Sequence, residues 1–130
     1  MIVIDASLLA PALVDDGDAG RRVRLRLRGE RLVAPQLIDL ELLATFRQLV
    51  LRDRVDERRV ARAVGRVASV RLRRMPHRPL LPRIWALRHD VTAYDAAYIA
   101  LAEAMAVPLL TADARLASAP GIACEVELLS

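Results

Sequence analysis

Residues 92–117 read TAYDAAYIALAEAMAVPLLTADARLA and combine one helix and one strand in a single stretch. Thr92 is a typical helix N-cap, and the alanine-rich residues after it predict a long apolar helix. The next apolar run, VPLLTAD (residues 107–113), predicts a strand buried on both faces that ends at Asp113. A helix that leads into a doubly buried strand is typical of an α/β domain with a parallel sheet.

The N-terminal residues 1–7, MIVIDAS, repeat this pattern, because a short β-branched apolar run again ends in an acid, Asp5. Sites in open parallel sheets form beyond the carboxyl ends of the strands, near the point where strand order reverses. If the two strands are neighbours, Asp5 and Asp113 lie side by side there. For each acid taken alone, a solvated turn at the end of a strand is the simpler interpretation.

Two further acids lie at the beginnings of predicted helices. Asp95 falls in the first turn after Thr92, where free N–H groups and the helix dipole stabilise a carboxylate. Glu41 lies in residues 34–53, which predict a long helix that begins at Pro35 and is buried because it is apolar almost all round. Four of its polar residues share one stripe, Glu41, Thr45, Gln48 and Arg52, whereas Asp39 and Arg47 lie off it. Taken alone, Asp95 is more simply interpreted as an acid at a helix terminus, and Glu41 as a solvated position on its helix.

The rest of the chain alternates between helix and strand patterns. Residues 21–31 fit both, and we choose a helix that ends at Gly29, because RLVAP then supplies the next strand. Ser7 is expected to cap a short first helix. Further helices are predicted over 56–67 and 83–90, and further strands over 68–75 and 122–128. The predicted fold class is α/β: a three-layer α/β/α sandwich with a mostly parallel sheet of four to five strands, in one domain over residues 1–130.

Composition narrows the classes of function. Hydrophobic residues make up 55% of the 130 residues, which is enough for a packed core, whereas aromatic residues make up only 3%. All 20 basic residues are Arg and the net charge is +4. A polyanionic partner and a general preference for Arg over Lys in the genome explain the use of Arg alone equally well. The absence of Lys excludes Schiff-base chemistry and phosphate loops built on Lys.

The single cysteine, Cys124, excludes an internal disulfide and a cysteine metal cluster, and its apolar surroundings predict a buried structural thiol. No secretory signal and no uncharged apolar stretch of membrane-spanning length is visible. The expected location is the cytoplasm. His77 and His89 are expected on the surface or in loops.

Three segments, MIVIDAS, LIDLELLATFRQLV (residues 37–50) and residues 92–117, resemble the acidic motifs of the PIN-domain family, in particular its VapC-type toxins. The resemblance runs nearly end to end in length and motif order. It places the family's four acids on Asp5, Glu41, Asp95 and Asp113, and the small hydroxyl residues that accompany them on Ser7 and Thr111. Many relatives have Asn three residues after the second acid, where this chain has Ala44, and Thr45 is the neighbouring polar substitute.

The resemblance implies a metal-dependent endoribonuclease in which the four acids are catalytic and hold Mg²⁺ or Mn²⁺. It also implies RNA as the substrate, a small antitoxin protein as the partner, and a homodimer. The chemistry agrees, because clustered carboxylates repel one another and partly protonate unless a cation neutralises them. Mg²⁺ and Mn²⁺ prefer such oxygen ligands.

Other functions fit the sequence less well. A PIN-like module that binds RNA or protein without cleaving it is the main alternative, although such a module is expected to have lost one or more of the four acids. A haloacid-dehalogenase-like phosphatase needs a second Asp two residues after the first, and this chain has Ser7 there. A receiver domain needs a Lys late in the chain, and a dinucleotide-binding fold needs a glycine-rich first turn; this chain has neither. All arginines except Arg115 lie between Arg21 and Arg88, which predicts either a basic rim around the acids or solvated helix faces.

Overall fold

Five strands form the central sheet of the molecule, and the computed structural model describes all 130 residues. The strands are β1 (Ile2–Ile4), β2 (Leu32–Pro35), β3 (Leu72–Met75), β4 (Leu109–Thr111) and β5 (Val126–Leu128). Their order across the sheet is β3–β2–β1–β4–β5, and every neighbouring pair is parallel. Val3 in the central strand pairs with both Val33 and Leu109. These apolar residues are fully buried, as expected for strands covered on both faces.

Seven helices cover the sheet: α1 (Ala6–Val14), α2 (Asp18–Leu27), α3 (Ile38–Leu51), α4 (Glu57–Val67), α5 (Leu81–Ala86), α6 (Ala93–Met105) and α7 (Ala114–Ala117). Crossovers between parallel strands are right-handed, so α1 to α4 cover one face, and α5 and α6 cover the other. In agreement, α1 packs on α2, α3 and α4, and α5 packs on α6. This architecture confirms the predicted three-layer α/β/α sandwich.

Helix α6 has the most extensive contact with the sheet. Its residues Ala96–Ala102 are all buried. Small alanines let this helix approach β1, β2 and β4 closely, and Tyr98 and Ile99 fill the remaining volume. The helix therefore fixes Asp95, at its first turn, relative to the ends of the central strands.

Helix α3 differs from its prediction at both its start and its surface. Pro35 is the last residue of β2 and is buried, so the helix begins three residues later. The helix is not buried all round either, because Leu40 is 72% exposed and Leu43 is also exposed. Only Ile38, Leu42 and Phe46 are buried, while Leu49 and Val50 pack against the core with partial exposure. The prediction of a helix buried all round was wrong because the side chains of Leu40 and Leu43, on adjacent turns, extend away from the sheet.

Other element boundaries also needed correction. Asp5, rather than Ser7, caps α1, because Asp5 has an extended backbone and its carboxylate accepts the N–H of Ser7. The short helix α7 was not predicted, and β5 begins four residues later than expected. Cys124 is only partly buried, in the irregular segment before β5, although burial does raise its pKa.

Candidate active site

Asp5 lies at the junction of β1 and α1 and is 7% exposed. Its Oδ1 accepts hydrogen bonds from the Ser7 backbone N–H at 3.1 Å and from Ser7 Oγ at 2.5 Å. Its Oδ2 accepts a hydrogen bond from Thr111 Oγ1 at 2.5 Å. Burial raises the pKa of Asp5, and these hydrogen bonds oppose part of that rise. The carboxylate is therefore held in one orientation by two hydroxyl groups.

The same hydroxyls join the ends of β1 and β4. Thr111 Oγ1 accepts the Asp113 backbone N–H at 3.0 Å, and Ser7 Oγ accepts the Ala112 backbone N–H at 3.0 Å. Strand order reverses between β1 and β4, so this junction lies where sites form in open α/β sheets. Ser7 and Thr111 thus bring Asp5 and Asp113 to the same edge of the sheet.

Glu41 reaches this edge from the first turn of α3 and is anchored by α6. The hydroxyl of buried Tyr98 donates a hydrogen bond to Glu41 Oε1 at 2.5 Å. Burial raises the pKa of Glu41, and the negative charges of Asp95 and Asp5 raise it further, whereas the Tyr98 hydrogen bond opposes the rise. Glu41 therefore lies close enough to two other acids to feel their charges.

Asp95 lies in the first turn of α6, where its backbone N–H donates to Thr92 Oγ1 at 3.2 Å. This bond confirms Thr92 as the helix cap. Burial raises the pKa of Asp95, and the charge of Asp113 raises it further. A side-chain hydrogen bond with Thr92 and the positive charge of Arg115 oppose part of this rise.

Asp113 is the only one of the four acids whose pKa is lowered. It caps α7 by accepting the Arg115 backbone N–H at 2.9 Å, and Arg115 Nη2 also lies 3.0 Å from Asp113 Oδ2. The pKa falls mainly because of the Arg115 side chain. Arg115 is almost fully exposed, so this ion pair lies at the rim of the site.

All four predicted acids line one cavity of about 280 Å³, which we call the acidic cavity. Its walls are Asp5, Ala6, Ser7, Glu41, Ala44, Thr45, Asp95, Tyr98 and Asp113. Thr111 lies beneath this surface and is fully buried. The structure thus brings together acids that are up to 108 positions apart in the sequence.

Sequence reasoning missed two residues of the acidic cavity and its rim. Tyr98 follows Asp95 by three residues and so lies on the same helix face, which is the signal that would have found it. Arg115 follows Asp113 by two residues, but only the cap geometry of α7 turns its guanidinium back onto that acid.

Most arginines do not form the predicted rim. Several pair with acids on other surfaces: Arg26 with Glu30 and Glu127, Arg59 with Asp16, Arg74 with Asp39, and Arg83 with Glu103. Arg88, Arg115 and His89 do line a cavity beside the acids. His77 is exposed in the turn before α5. The basic rim is therefore built from few residues. For most of the arginines, the alternative interpretation holds, in which they lie on solvated surfaces of the helices.

The donor set suits a hard divalent cation. Three carboxyls with raised pKa values face one partly buried volume, and a cation placed there relieves both their desolvation and their mutual repulsion. As the side chains stand, no three His, Cys, Asp or Glu residues are arranged to enclose an ion. Mg²⁺ fits such an open site, because it keeps several waters and takes one or two carboxylates directly.

Comparison with known proteins identifies the family. A family model described as the PIN domain matches residues 2–122, which is almost the whole chain. The chain belongs to the PIN-domain family. This PIN domain is 41% identical over 128 residues to Ribonuclease VapC1 of Mycobacterium tuberculosis, covering 98% of this chain and 96% of the relative. The predicted resemblance to the family and to its VapC-type members is thereby confirmed.

Two solved structures share the fold of this PIN domain. VapC20 of Mycobacterium tuberculosis, described as a sarcin-ricin loop cleaving toxin, has a TM-score of 0.65 and 20% identity over 91% of this chain and 94% of its own. VapBC2 from Rickettsia felis, bound to a DNA fragment from their promoter, has a TM-score of 0.65 and 14% identity over 100% of both chains. None of the helices here is long and apolar enough to cross a membrane.

Proposed function

We propose that this protein is a metal-dependent endoribonuclease that acts as the toxin of a type II toxin–antitoxin pair. The observation that carries the proposal is the acidic cavity, where Asp5, Glu41, Asp95 and Asp113 meet at the reversal of strand order. The 41% identity to a ribonuclease over nearly the whole chain supports the same reaction class.

Mg²⁺ or Mn²⁺ would be held by the four acids Asp5, Glu41, Asp95 and Asp113. Such an ion, when bound, supplies activation of a water molecule and stabilisation of negative charge on the phosphate. Ser7 and Thr111 orient the Asp5 carboxylate through both of its oxygens. Tyr98 occupies one oxygen of Glu41 and leaves the other free to face the cavity.

The partner proposal follows from the surface next to these acids. Leu40 and Leu43 are exposed on α3, on either side of Glu41 in the sequence. We expect this face, together with α1, to contact the antitoxin or a second copy of the chain, because adjacent exposed leucines are uncommon on a surface without a partner. A bound antitoxin there would lie close to the acidic cavity.

The decisive experiment measures cleavage of single-stranded RNA by the purified protein with Mg²⁺ or Mn²⁺. Asp5→Asn keeps the size and polarity of the side chain but removes the charge, so cleavage is expected to fall at least 100-fold, and EDTA should abolish it in the wild type. Asp53→Asn is the matched control, because Asp53 is exposed and has a φ of 52°, which Asn tolerates.

Equal rates for the wild type and Asp5→Asn would exclude the proposed site. RNA binding by both proteins without any metal-dependent turnover would instead support the alternative, a PIN-like module that no longer cleaves. Neither result depends on knowing the natural RNA, since the comparison is between variants on one substrate.

A further inference from the structure

A second cavity opens directly beside the acidic cavity and contains guanidinium groups as well as carboxylates. It has a volume of about 420 Å³ and shares Asp95 and Asp113 with the acidic cavity. It adds Arg88, Arg115, His89 and Asp90 to these two acids, so its charge is mixed, and we call it the basic cavity after the guanidinium groups that the acidic cavity lacks. An extended ligand that leads away from the four acids on this side passes the guanidinium groups of Arg88 and Arg115.

A third cavity continues the row away from the acids. It has a volume of about 460 Å³ and shares Arg88 and Thr92 with the basic cavity, while its other walls are mostly apolar, including Ile84 and Trp85. Trp85 is 68% exposed. The Arg88 guanidinium lies 4.6 Å from the centre of the Trp85 ring, and Arg88 Nη1 donates to the Trp85 carbonyl at 3.0 Å. Arg88 therefore lies over one face of the Trp85 ring, and the two side chains form a layered aromatic and cationic surface, which we call the Trp85 platform.

The distribution of aromatic residues makes this platform unusual in the molecule. The chain has only four aromatic side chains, and two of them, Phe46 and Tyr98, are buried in the core. The other two, Trp85 and Tyr94, are both about two-thirds exposed and lie on α5 and the first turn of α6. Core packing explains the first pair but not the exposed second pair.

We propose that single-stranded RNA runs along these three cavities, with a nucleobase next to the cleaved bond stacked on the Trp85 platform. This rests on the proposed ribonuclease function and adds the residues that recognise the substrate. Aromatic rings stack on bases, and guanidinium groups bind phosphates through paired hydrogen bonds. Arg88 belongs to both the platform and the basic cavity, so it can contact the phosphate attached to the stacked base.

Charge and shape select a single strand over a duplex or a protein segment. Along the row, guanidinium groups first join the acids and apolar walls then replace the acids, which matches a scissile phosphate, a flanking phosphate and an unstacked base in turn. In a duplex the bases are stacked on each other and cannot reach the ring. Stacking tolerates any base, so the platform contributes affinity for unpaired RNA more than base identity.

The test uses Trp85 as its own reporter, because it is the only tryptophan in the chain. A short single-stranded oligoribonucleotide is titrated into the full protein in EDTA, which prevents cleavage, while tryptophan emission is recorded. Saturable quenching is expected with the single strand, and much weaker quenching with a duplex of equal length. Binding of a fluorescein-labelled copy of the oligonucleotide, measured by anisotropy, then compares the variants.

Trp85→Ala is expected to weaken binding and raise KM roughly 5- to 100-fold, the range of one lost stacking contact, with little change in kcat. Trp85→Phe should restore much of the affinity, because a smaller ring still stacks. Arg88→Ala should also raise KM and should reduce the salt dependence of binding. Arg62→Ala is the matched control, since Arg62 lines a separate cavity on the α4 surface and is equally exposed.

The two proposals fail in different ways. Wild-type cleavage with unquenched emission and an unchanged KM for Trp85→Ala would overturn the platform and leave the ribonuclease intact. A fall in kcat at constant KM would also overturn it, because that would assign Trp85 to the reaction step. Quenching by the antitoxin protein but not by RNA would assign the platform to the partner. Absence of both cleavage and RNA binding in the wild type would overturn both proposals.

Discussion

Thr111 is a neutral, fully buried residue that contacts two of the four acids. Its hydroxyl donates to the Asp5 carboxylate and accepts the Asp113 backbone N–H. A single hydroxyl can make both bonds because it carries one donor and two acceptor positions. The residue at the end of β4 therefore fixes the relative position of two acids that come from different parts of the sequence.

We predict that Thr111→Val destabilises the protein by about 1–3 kcal/mol, although the two side chains have the same shape. Valine leaves the Asp113 N–H without its acceptor and removes one donor from the buried Asp5 carboxylate. Urea unfolding measures the change in the free energy of unfolding. Cleavage should fall as well, because Asp5 loses the partner that orients one of its oxygens.

Thr45→Val is the control for this prediction. Thr45 lines the same cavity, but its hydroxyl bonds to neither Asp5 nor Asp113. If the two valine variants unfold at the same urea concentration, the Thr111 hydroxyl has no special role in holding the site together.

At the scale of elements, α6 connects the acidic cavity to the last strand. Its first turn carries Asp95, its middle carries Tyr98, and its last turns carry Glu103. Glu103 accepts hydrogen bonds from Arg83 Nε at 2.8 Å and Nη2 at 3.0 Å, and from the Ala123 N–H at 3.2 Å. Arg83 Nη2 also donates to the Gly121 carbonyl at 2.7 Å. This cluster attaches α5, α6 and the segment before β5 to one another.

The Glu103 cluster predicts a specific pH dependence of stability. Hydrogen bonding to Arg83 lowers the pKa of Glu103 below its ordinary value of 4.5, so its stabilisation is present above that pH and is lost as the pH falls through the lower value of the folded state. Glu103→Gln is expected to cost about 1 kcal/mol at pH 7, since Arg83 is partly exposed, and much less near pH 3. Urea unfolding at several pH values measures both.

Glu125→Gln provides the comparison, because Glu125 is exposed and forms no ion pair. It should leave the free energy of unfolding within a few tenths of a kcal/mol at every pH. A constant difference between Glu103→Gln and the wild type from pH 3 to pH 7 would contradict the assigned role of the charge.

Helices and strands with strong local signals could be predicted from the sequence. Helix α6 was predicted well, because Thr92 caps it and its apolar residues are continuous. Helix α3 was placed too early, since Pro35 is equally compatible with the end of a strand and the start of a helix, and only pairing with Met75 on β3 decides between them. Helix α7 has four residues and depends on its Asp113 cap, so it has no periodic pattern to detect.

At the scale of the whole molecule, the four acids were predictable as a set but their surroundings were not. Motif order and resemblance selected Asp5, Glu41, Asp95 and Asp113, and strand order then places them at one sheet edge. The row of cavities depends on how the segment between α5 and α6 lies beside α7, which no local pattern specifies. Their roles as metal ligands and catalytic groups stay predictions until the Asp5→Asn comparison is made.

The exposed leucines of α3 make a prediction about the assembly. Leu40 is 72% exposed and Leu43 is 40% exposed, so they stabilise the isolated chain little and gain most from burial against another chain. We expect the wild type to be a dimer in light scattering, and Leu40→Glu with Leu43→Glu to be a monomer with an almost unchanged free energy of unfolding at low concentration. A buried charge at such an interface opposes association strongly.

Leu25→Glu is the control for this assembly, because Leu25 is a 50% exposed leucine on a different helix, α2. That variant should remain dimeric. A wild type that is monomeric both alone and with a co-expressed antitoxin would contradict the interface, whereas a monomer that binds the antitoxin only when Leu40 and Leu43 are intact would assign the same face to the antitoxin. Because Glu41 lies on the same helix as these two leucines, either form of association would place a second chain on the helix that forms one wall of the acidic cavity, and this could couple assembly to access of RNA.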